Sequence, residues 1–218
     1  MAGTIVTEDI ELIHSGGSGG APPGRSDGGG GGGDSFGKRP TPQRTYVTGM
    51  MIGLGGILMF FMALVSAYIV RKGLPNNAWI PLQIPRILWL NTLVLIGSSF
   101  TLAHARKLLL AGETSRFRHW WNVTTILGVL FLAGQILAWR ELVREGVYLS
   151  TNPSSSFFYV FTAAHGLHLL GGVMALLLVA IRPTRKLTRG TATEVVSMYW
   201  HFMDGLWVFL FLLLLLGQ

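Results

Sequence analysis

Residues Met198–Leu216 read MYWHFMDGLWVFLFLLLLL, an almost continuous apolar run. About 20 such residues span the hydrocarbon core of a bilayer as an α-helix. His201 and Asp204 nevertheless lie inside the run, one helical turn apart. An Asp near the centre of a membrane helix costs about 2.5 to 3.5 kcal/mol on insertion scales, because lipid tails offer it no hydrogen bond. The run therefore predicts a membrane helix whose polar side chains have partners on neighbouring helices or on another subunit.

The composition of the whole chain is that of an integral membrane protein. Of its 218 residues, 50% are hydrophobic and 12% are charged, whereas a soluble domain carries about 25% charged residues. The formal net charge is +7, but the basic residues flank apolar segments. That placement is typical of membrane topology and of contacts with anionic lipids, not of nucleic-acid binding. The chain has no cysteine, which excludes disulfides and thiolate-bound metals.

Five apolar segments of helical length follow one another along the chain. Their apolar character is continuous and does not alternate, which excludes an outer-membrane β-barrel. The sequence therefore predicts an all-α, polytopic membrane protein with five transmembrane helices, formed by residues 46–218. The predicted spans are residues 46–70, 87–110, 120–142, 156–181 and 195–217.

Residues 1–45 differ from the rest in composition, being rich in Gly, Ser and Pro. Such a segment has little apolar surface to bury, so we expect a flexible, disordered tail. The tail lacks the basic and apolar regions of a signal peptide. We therefore expect the first span to act as the insertion signal.

The Lys and Arg residues predict the orientation of the spans. The group on the side of the N-terminus is the larger one, and the opposite group is diluted by Glu141 and Glu145. The positive-inside rule then places the N-terminus in the cytoplasm and the C-terminus outside. The larger group is Lys38, Arg39, Arg44, Arg106, Lys107, Arg116, Arg118, Arg182, Arg185, Lys186 and Arg189, and the smaller is Arg71, Lys72, Arg86, Arg140 and Arg144.

Small residues recur at helical spacing in the first span, where Gly49, Gly53, Gly56 and Ala63 share one face. Such residues let another helix approach closely, so we interpret this face as a helix-packing surface without a ligand. Similar packing positions in the other spans are Asn91 and Ser98, Thr125 and Gly128, and Gly171 and Gly172.

The fourth span contains FTAAHGLHLLGG, in which His165 and His168 are three residues apart. Side chains at this spacing lie on adjoining parts of one helical face. The fourth and fifth spans are sequential and joined by a short basic loop, so we expect them to pack as antiparallel neighbours. The two histidines, His201 and Asp204 are thus predicted to form a buried polar cluster. Its expected neighbours are Trp200, Trp207 and Gln135.

Three functions are open to such a cluster. Histidines and a carboxylate can bind zinc, and histidine can bind haem iron, but the chain has no His-Glu-x-x-His pattern and no further membrane-embedded carboxylate. An intramembrane Asp beside histidines is also a candidate proton relay. In the third interpretation, which the sequence favours, Asp204 accepts hydrogen bonds from His or Trp on adjacent helices, or contacts a lipid headgroup or a partner subunit.

At these residues the chain resembles subunit III of the haem–copper respiratory oxidases, the cytochrome c oxidase subunit 3 family. The family's two histidine-containing patterns are matched by Phe157–Gly171 and Tyr199–Phe211. Two further patterns are matched by Leu90–Ala103 and Thr124–Gln135, so that the resemblance covers residues 46–217.

The resemblance implies the short, five-helix bacterial form and an accessory role. The complex would transfer electrons to oxygen and translocate protons across the bacterial inner membrane, with the C-terminus in the periplasm. This chain would pack mainly against subunit I, in a complex that includes subunit II, and would bind phospholipids. It would hold no haem or copper, which belong to the partner subunits, and would itself not be catalytic. It would support the stability of subunit I and its access to protons and oxygen.

One departure from the family concerns the first span, where GGILMFFMAL places Gly56 and Ile57 at positions that carry Ser and Glu in many members. The missing carboxylate argues against a proton relay through this helix. Alternatives of the same kind are the corresponding subunit of a quinol oxidase or a nitric oxide reductase. A stand-alone transporter is disfavoured because the chain shows no inverted repeat, and an enzyme acting alone because it lacks a nucleophile and a metal set.

Overall fold

The computed structural model describes residues 43–74, 85–150, 152–181 and 191–217. These ranges contain five helices that are long and apolar enough to cross a membrane, which confirms the predicted all-α, five-helix fold. Of the predicted tail, only residues 43–45 are described, and they form the start of the first helix; the rest lies outside the described residues. The helices are α1 (Gln43–Lys72), α2 (Ile87–Leu110), α3 (Thr114–Arg144), α4 (Pro153–Ala180) and α5 (Thr191–Leu216).

The helices extend beyond the predicted apolar spans mainly at polar ends. The third span was predicted to begin at residue 120, but α3 begins at Thr114 and includes the polar segment RFRH. A helix of 31 residues is about 46 Å long and exceeds a hydrocarbon core of about 30 Å. Its first turns can therefore project into the headgroup region, where an ion pair of 3.1 Å joins Arg116 to Glu113.

The helix ends follow from local sequence. Asn152 precedes α4 and accepts a hydrogen bond from the Ser155 backbone N–H, while the Ser155 hydroxyl accepts one from the Asn152 backbone N–H. This capping box, with Pro153 at the first helical position, fixes where α4 begins. The turns after α2 and α3 contain Gly112 and Gly146, whose φ angles of 80° and 76° favour glycine.

Helices α2 to α5 form a bundle in which α2 contacts α3 and α5, and α4 contacts α3 and α5. Helix α1 lies outside this bundle, against α5 and α4. The bundle core is rich in large aromatic side chains that are almost fully buried, because several helices carry them on their facing sides. They are Trp121, Trp200, Trp207, Phe117, Phe131, Phe158 and Phe161.

The predicted small-residue positions have two different environments. Gly172 packs closely against α5, since a Cβ added there would lie 3.0 Å from the Tyr199 ring. By contrast, no described atom lies within 4 Å of a Cβ built on Gly49, Gly53 or Gly56. The glycine face of α1 is thus open within this chain, and its role in helix packing stays a prediction.

Candidate functional site

The contact between α2 and α5 includes two indole–hydroxyl hydrogen bonds. Trp200 donates from Nε1 to the Ser98 hydroxyl at 2.9 Å, and Trp207 donates to the Thr92 hydroxyl at 3.1 Å. All four side chains are buried. Because an indole N–H left unpaired in an apolar core is costly, these bonds fix the register of the two helices.

Between these two tryptophans, Asp204 lies at the midpoint of α5 with only 5% of its surface exposed. Among the described residues, neither carboxylate oxygen has a hydrogen-bond donor in good geometry. The Ser99 side chain lies beside the carboxyl group, but its hydroxyl bonds the Nδ1 atom of His201 at 2.5 Å. The Trp200 and Trp207 indoles, expected as neighbours of the polar cluster, bond hydroxyls of α2.

His201 is half-buried and lies at the edge of a groove between α1 and α5. The groove has a volume of about 400 Å³, and its other lining residues are apolar. Through its bond to the half-buried Ser99, which lies beside the buried Asp204, His201 links the interior of the bundle to this groove. The other lining residues are Leu58, Met62, Phe202, Gly205, Leu206 and Phe209.

The two histidines of α4 have separate environments. His165 is fully buried, with its ring 4.9 Å from Trp207 and 5.9 Å from Phe131 between ring centroids. Neither of its ring nitrogens has a partner among the described residues. His168 bonds the Ala164 carbonyl oxygen on its own helix at 2.7 Å and packs against Phe61 of α1. Within the described part of the chain, no hydrogen bond joins either histidine to Asp204 or His201.

Gln135 is buried on α3, and its amide has no partner within the described ranges. A neighbouring amide, that of Asn91 on α2, donates to the Phe131 carbonyl oxygen at 3.3 Å. Asn91 fits there because Gly134 has no side chain, since a Cβ on Gly134 would overlap the Asn91 amide. Gln135 and Asn91 thus belong to the α2–α3–α4 core, and no hydrogen bond joins them to Asp204.

Sequence reasoning missed Ser99, Thr92 and Tyr199 as members of this polar core. Tyr199 donates from its hydroxyl to the His168 carbonyl oxygen at 2.7 Å, which joins α5 to α4. The available signal was the adjacent pair Ser98–Ser99 within the apolar stretch LVLIGSSF of α2. Two adjacent hydroxyls point about 100° apart on a helix, so they can serve two neighbours.

The described residues contain no group of three or more His, Asp or Glu side chains placed to hold a metal ion. His165 is enclosed by aromatic rings, and His168 is bonded to its own helix.

Comparison with known proteins agrees with the resemblance drawn from the motifs. The family model described as cytochrome c oxidase subunit III matches residues 40–217. A probable cytochrome c oxidase subunit 3 of Nocardia farcinica is 38% identical over 169 residues, which cover 75% of this chain and 83% of that protein. The corresponding protein of Mycobacterium tuberculosis is 34% identical with the same coverage. The cytochrome c oxidase subunit 3 of Thermostichus vulcanus is 32% identical over 177 residues, or 77% of this chain and 85% of that protein. The chain belongs to the cytochrome c oxidase subunit III family.

Proposed function

We propose that this chain is the accessory subunit III of a haem–copper terminal oxidase, which transfers electrons to oxygen and translocates protons in aerobic respiration. The observation that carries the proposal is the family match over residues 40–217, which includes all five described helices. The chain itself would bind neither haem nor copper and would not be catalytic. These cofactors would belong to the partner subunits.

Subunit I is the partner that we propose as the main contact, in a complex that also contains subunit II. The open glycine face of α1 supports this, because small residues without neighbours allow a helix of another subunit to approach closely. The same helix exposes large apolar side chains such as Ile52 and Met59 beside the glycines. A transmembrane partner would therefore have both close backbone contact and side chains to pack against.

Phospholipid binding is supported by a groove of about 830 Å³ between the end of α1 and the start of α4. Val70 and Phe157 give it apolar walls, while Arg71 and Ser150 give it a polar end. Such a groove suits an acyl chain with its phosphate at the guanidinium group. In the proposed orientation, with the N-terminus in the cytoplasm of a bacterium and the C-terminus in the periplasm, this groove opens to the periplasmic leaflet.

Within the complex, we propose that the chain supports the stability of subunit I and its access to protons and oxygen. The interlocked polar core of α2 to α5 supports a stabilising role, because a rigid bundle can hold a neighbouring subunit in one conformation. The two roles predict different defects, since loss of stability shortens the life of the enzyme and loss of access lowers its initial rate.

The test is purification in mild detergent through an affinity tag on this chain. We expect a partner protein with haem absorbance to co-purify, together with a subunit II. Copper-binding Cys and His residues in that subunit II would indicate cytochrome c as the donor and distinguish this oxidase from a quinol oxidase or a nitric oxide reductase. A tagged chain that is folded and free of haem proteins, or that catalyses solute flux alone in liposomes, would contradict the proposal.

A matched pair of glycine variants makes the purification informative. A side chain at Gly128 would collide with Trp200, whereas the Cβ of Gly205 would meet nothing within 4 Å. We expect Gly128→Leu to reduce the haem recovered with the chain and Gly205→Ala to leave it unchanged. Equal recovery from both variants would show that the partner does not depend on the folded bundle.

A further inference from the structure

Asp204 differs from the other acidic residues of the described helices in its position. Glu141 and Glu194 lie within a few residues of a helix end, where water and headgroups are close. Asp204 lies at the midpoint of α5, about 20 Å from either end at 1.5 Å per residue. It is buried, and among the described residues its two oxygens lack hydrogen-bond donors in good geometry.

A purely structural acid would be expected to have its oxygens satisfied, as the two indoles on the same helix have their N–H groups satisfied. Trp200 and Trp207 on the same helix each have a well-placed hydroxyl acceptor. Beside Asp204, by contrast, lies Ser99, whose rotatable hydroxyl is engaged by His201 at 2.5 Å. One hydroxyl thus stands between a buried acid and an imidazole that borders the groove between α1 and α5.

The groups around Asp204, Ser99 and His201 favour proton transfer over a permanent ion pair at Asp204. On α2, Arg106 is close enough to interact electrostatically with His201 but is not bonded to Asp204. On α4, His165 faces α5 through the Trp207 ring, and α1 contributes only apolar side chains to the groove. No described cation therefore holds Asp204 as a permanent carboxylate.

We propose that Asp204, Ser99 and His201 form a proton-exchange relay. The Asp204 carboxyl group binds a proton at mid-membrane, and the His201 ring passes it to and from the groove between α1 and α5. The relay deepens the proposed function, because it places a proton-binding site of this chain on a surface open to a partner subunit. The relay rests on the proposed function only because its test uses the purified oxidase complex.

The transfer can be written with all protons conserved. Release begins with Asp204 as the neutral acid and with His201 carrying its hydrogen on Nε2. Ser99 donates its hydroxyl proton to His201 Nδ1, and the Asp204 carboxyl donates its proton to Ser99 Oγ, which restores the hydroxyl. The imidazolium then loses its Nε2 proton to water in the groove. Asp204 is left as a carboxylate and His201 as the other neutral tautomer, with its hydrogen on Nδ1. Uptake reverses these transfers: Nε2 takes a proton from the groove, Nδ1 donates its proton to Ser99 Oγ, and the Ser99 hydroxyl donates to Asp204, which restores the first tautomer of His201.

The test is infrared spectroscopy of the purified oxidase complex during exchange from H2O to D2O. We expect a C=O stretching band of a neutral carboxyl group that shifts as the Asp204 proton is replaced by deuterium. Asp204→Asn should remove the band, and Asp204→Glu should move it, which assigns it even if the Asn variant assembles poorly. Haem absorbance of the same sample establishes separately that the oxidase complex is intact.

Two adjacent serines provide the matched control. Ser99→Ala removes the link between Asp204 and His201, whereas Ser98→Ala removes the bonds of Ser98 to Trp200 and to the Leu95 carbonyl oxygen and leaves that link in place. We expect Ser99→Ala to slow the shift of the band about tenfold or more and Ser98→Ala to leave its rate unchanged. Equal exchange rates in the two serine variants, or no carboxyl band that Asp204→Glu moves, would overturn the proposal.

Discussion

Ser98 and Ser99 are adjacent in the sequence, yet they bond different side chains of α5. Ser98 accepts from Trp200 and Ser99 bonds His201, because successive residues on a helix point about 100° apart. A single turn of α2 thus supports both a structural indole bond and the proposed relay. Variants of the two serines separate packing effects from proton effects at nearly the same position in the bundle.

Replacement of Asp204 by Asn tests the structural role of this residue. We expect Asp204→Asn to lower the recovery of the complex, or its lifetime during turnover, more than its initial activity. The amide adds N–H donors to a site where the described residues offer few acceptors, and an unsatisfied buried donor costs about 1–3 kcal/mol. The measurements are the initial rate of oxygen consumption and the rate at which activity is lost during turnover.

The control for this prediction is Glu194→Gln, which neutralises the acid in the first turn of the same helix. This position is close to the membrane surface, so we expect neither recovery nor lifetime to change. A large loss of initial rate in Asp204→Asn, with normal recovery and normal lifetime, would contradict the structural interpretation.

Gly128 provides a second prediction at the residue scale. A methyl group there would lie 2.5 Å from Trp200 Cη2 and 3.1 Å from Val173, so the ring would have to move. We expect Gly128→Ala to destabilise the bundle by about 1–3 kcal/mol, the usual cost of overpacking. The measurement is the thermal inactivation of the purified complex.

Gly205→Ala is the comparison variant, because its Cβ would lie in open space. Alanine is the better helix former by about 1 kcal/mol, so this change should leave stability equal or slightly higher. If both alanine variants inactivate at the wild-type rate, Trp200 is not held as tightly as its position indicates.

The sequence identified much of this polar core, but not its bonds. Trp200, Trp207 and Asp204 were recognisable because polar groups in an apolar run must have a structural reason. Their hydroxyl partners were not recognisable, because Ser and Thr are tolerated throughout membrane helices and their pairing depends on the rotation of one helix against another. The predicted His165–His168 pair shows the same limit, since its members are about 60° apart on α4 and contact the core and α1 separately.

At the scale of the elements, the C-terminal end of α1 is joined to the C-terminal end of α5 by the side chain of Lys72. Lys72 in the last turn of α1 donates from Nζ to the Gly217 carbonyl oxygen at 3.0 Å, just beyond α5. A cation at the C-terminus of a helix also interacts favourably with the helix dipole. This contact adds to the packing of α1, whose main contacts among the described helices are with α5 and α4.

We therefore expect Lys72→Met to loosen the C-terminal end of α5. The change should cost about 0.5 kcal/mol, since the side chain is exposed at the membrane surface and partly screened. Hydrogen–deuterium exchange of residues 213–217 should become faster. Lys107→Met, at the opposite end of the bundle, should not change it, and an unaltered rate in Lys72→Met would show that the contact does not hold the two helices together.

The bounds of the helices were predicted well where the helix coincides with the apolar span, and less well where the helix continues beyond it. The second span was predicted at residues 87–110 and is observed at Ile87–Leu110, because its apolar run coincides with the helix. Helix α3 begins at Thr114 instead of residue 120 because a helix can continue through RFRH outside the hydrocarbon. Hydropathy marks where lipid tails begin, and it does not mark where a helix begins.

At the scale of the whole molecule, the orientation in the membrane determines which side of the membrane each groove faces. The turn between α2 and α3 is flanked by Arg106, Lys107, Arg116 and Arg118 with a single acid, Glu113. At the end of α3, by contrast, the basic residues are accompanied by Glu141 and Glu145. The positive-inside rule therefore predicts that the α2–α3 turn lies in the cytoplasm. The end of α3, the start of α4 and the groove beside Arg71 would then face the periplasm.

The absence of cysteine makes this orientation directly measurable, because single cysteines can be introduced into an otherwise unreactive chain. Ala111 in the α2–α3 turn and Leu149 after α3 are both exposed. We expect a membrane-impermeant maleimide to label Leu149→Cys in spheroplasts and to label Ala111→Cys only after the membrane is opened. Labelling in the reverse order would place the Arg71 groove in the cytoplasmic leaflet. The relay would then deliver its protons from the opposite side, because His201 lies between Asp204 and the end of α5 nearest the α2–α3 turn.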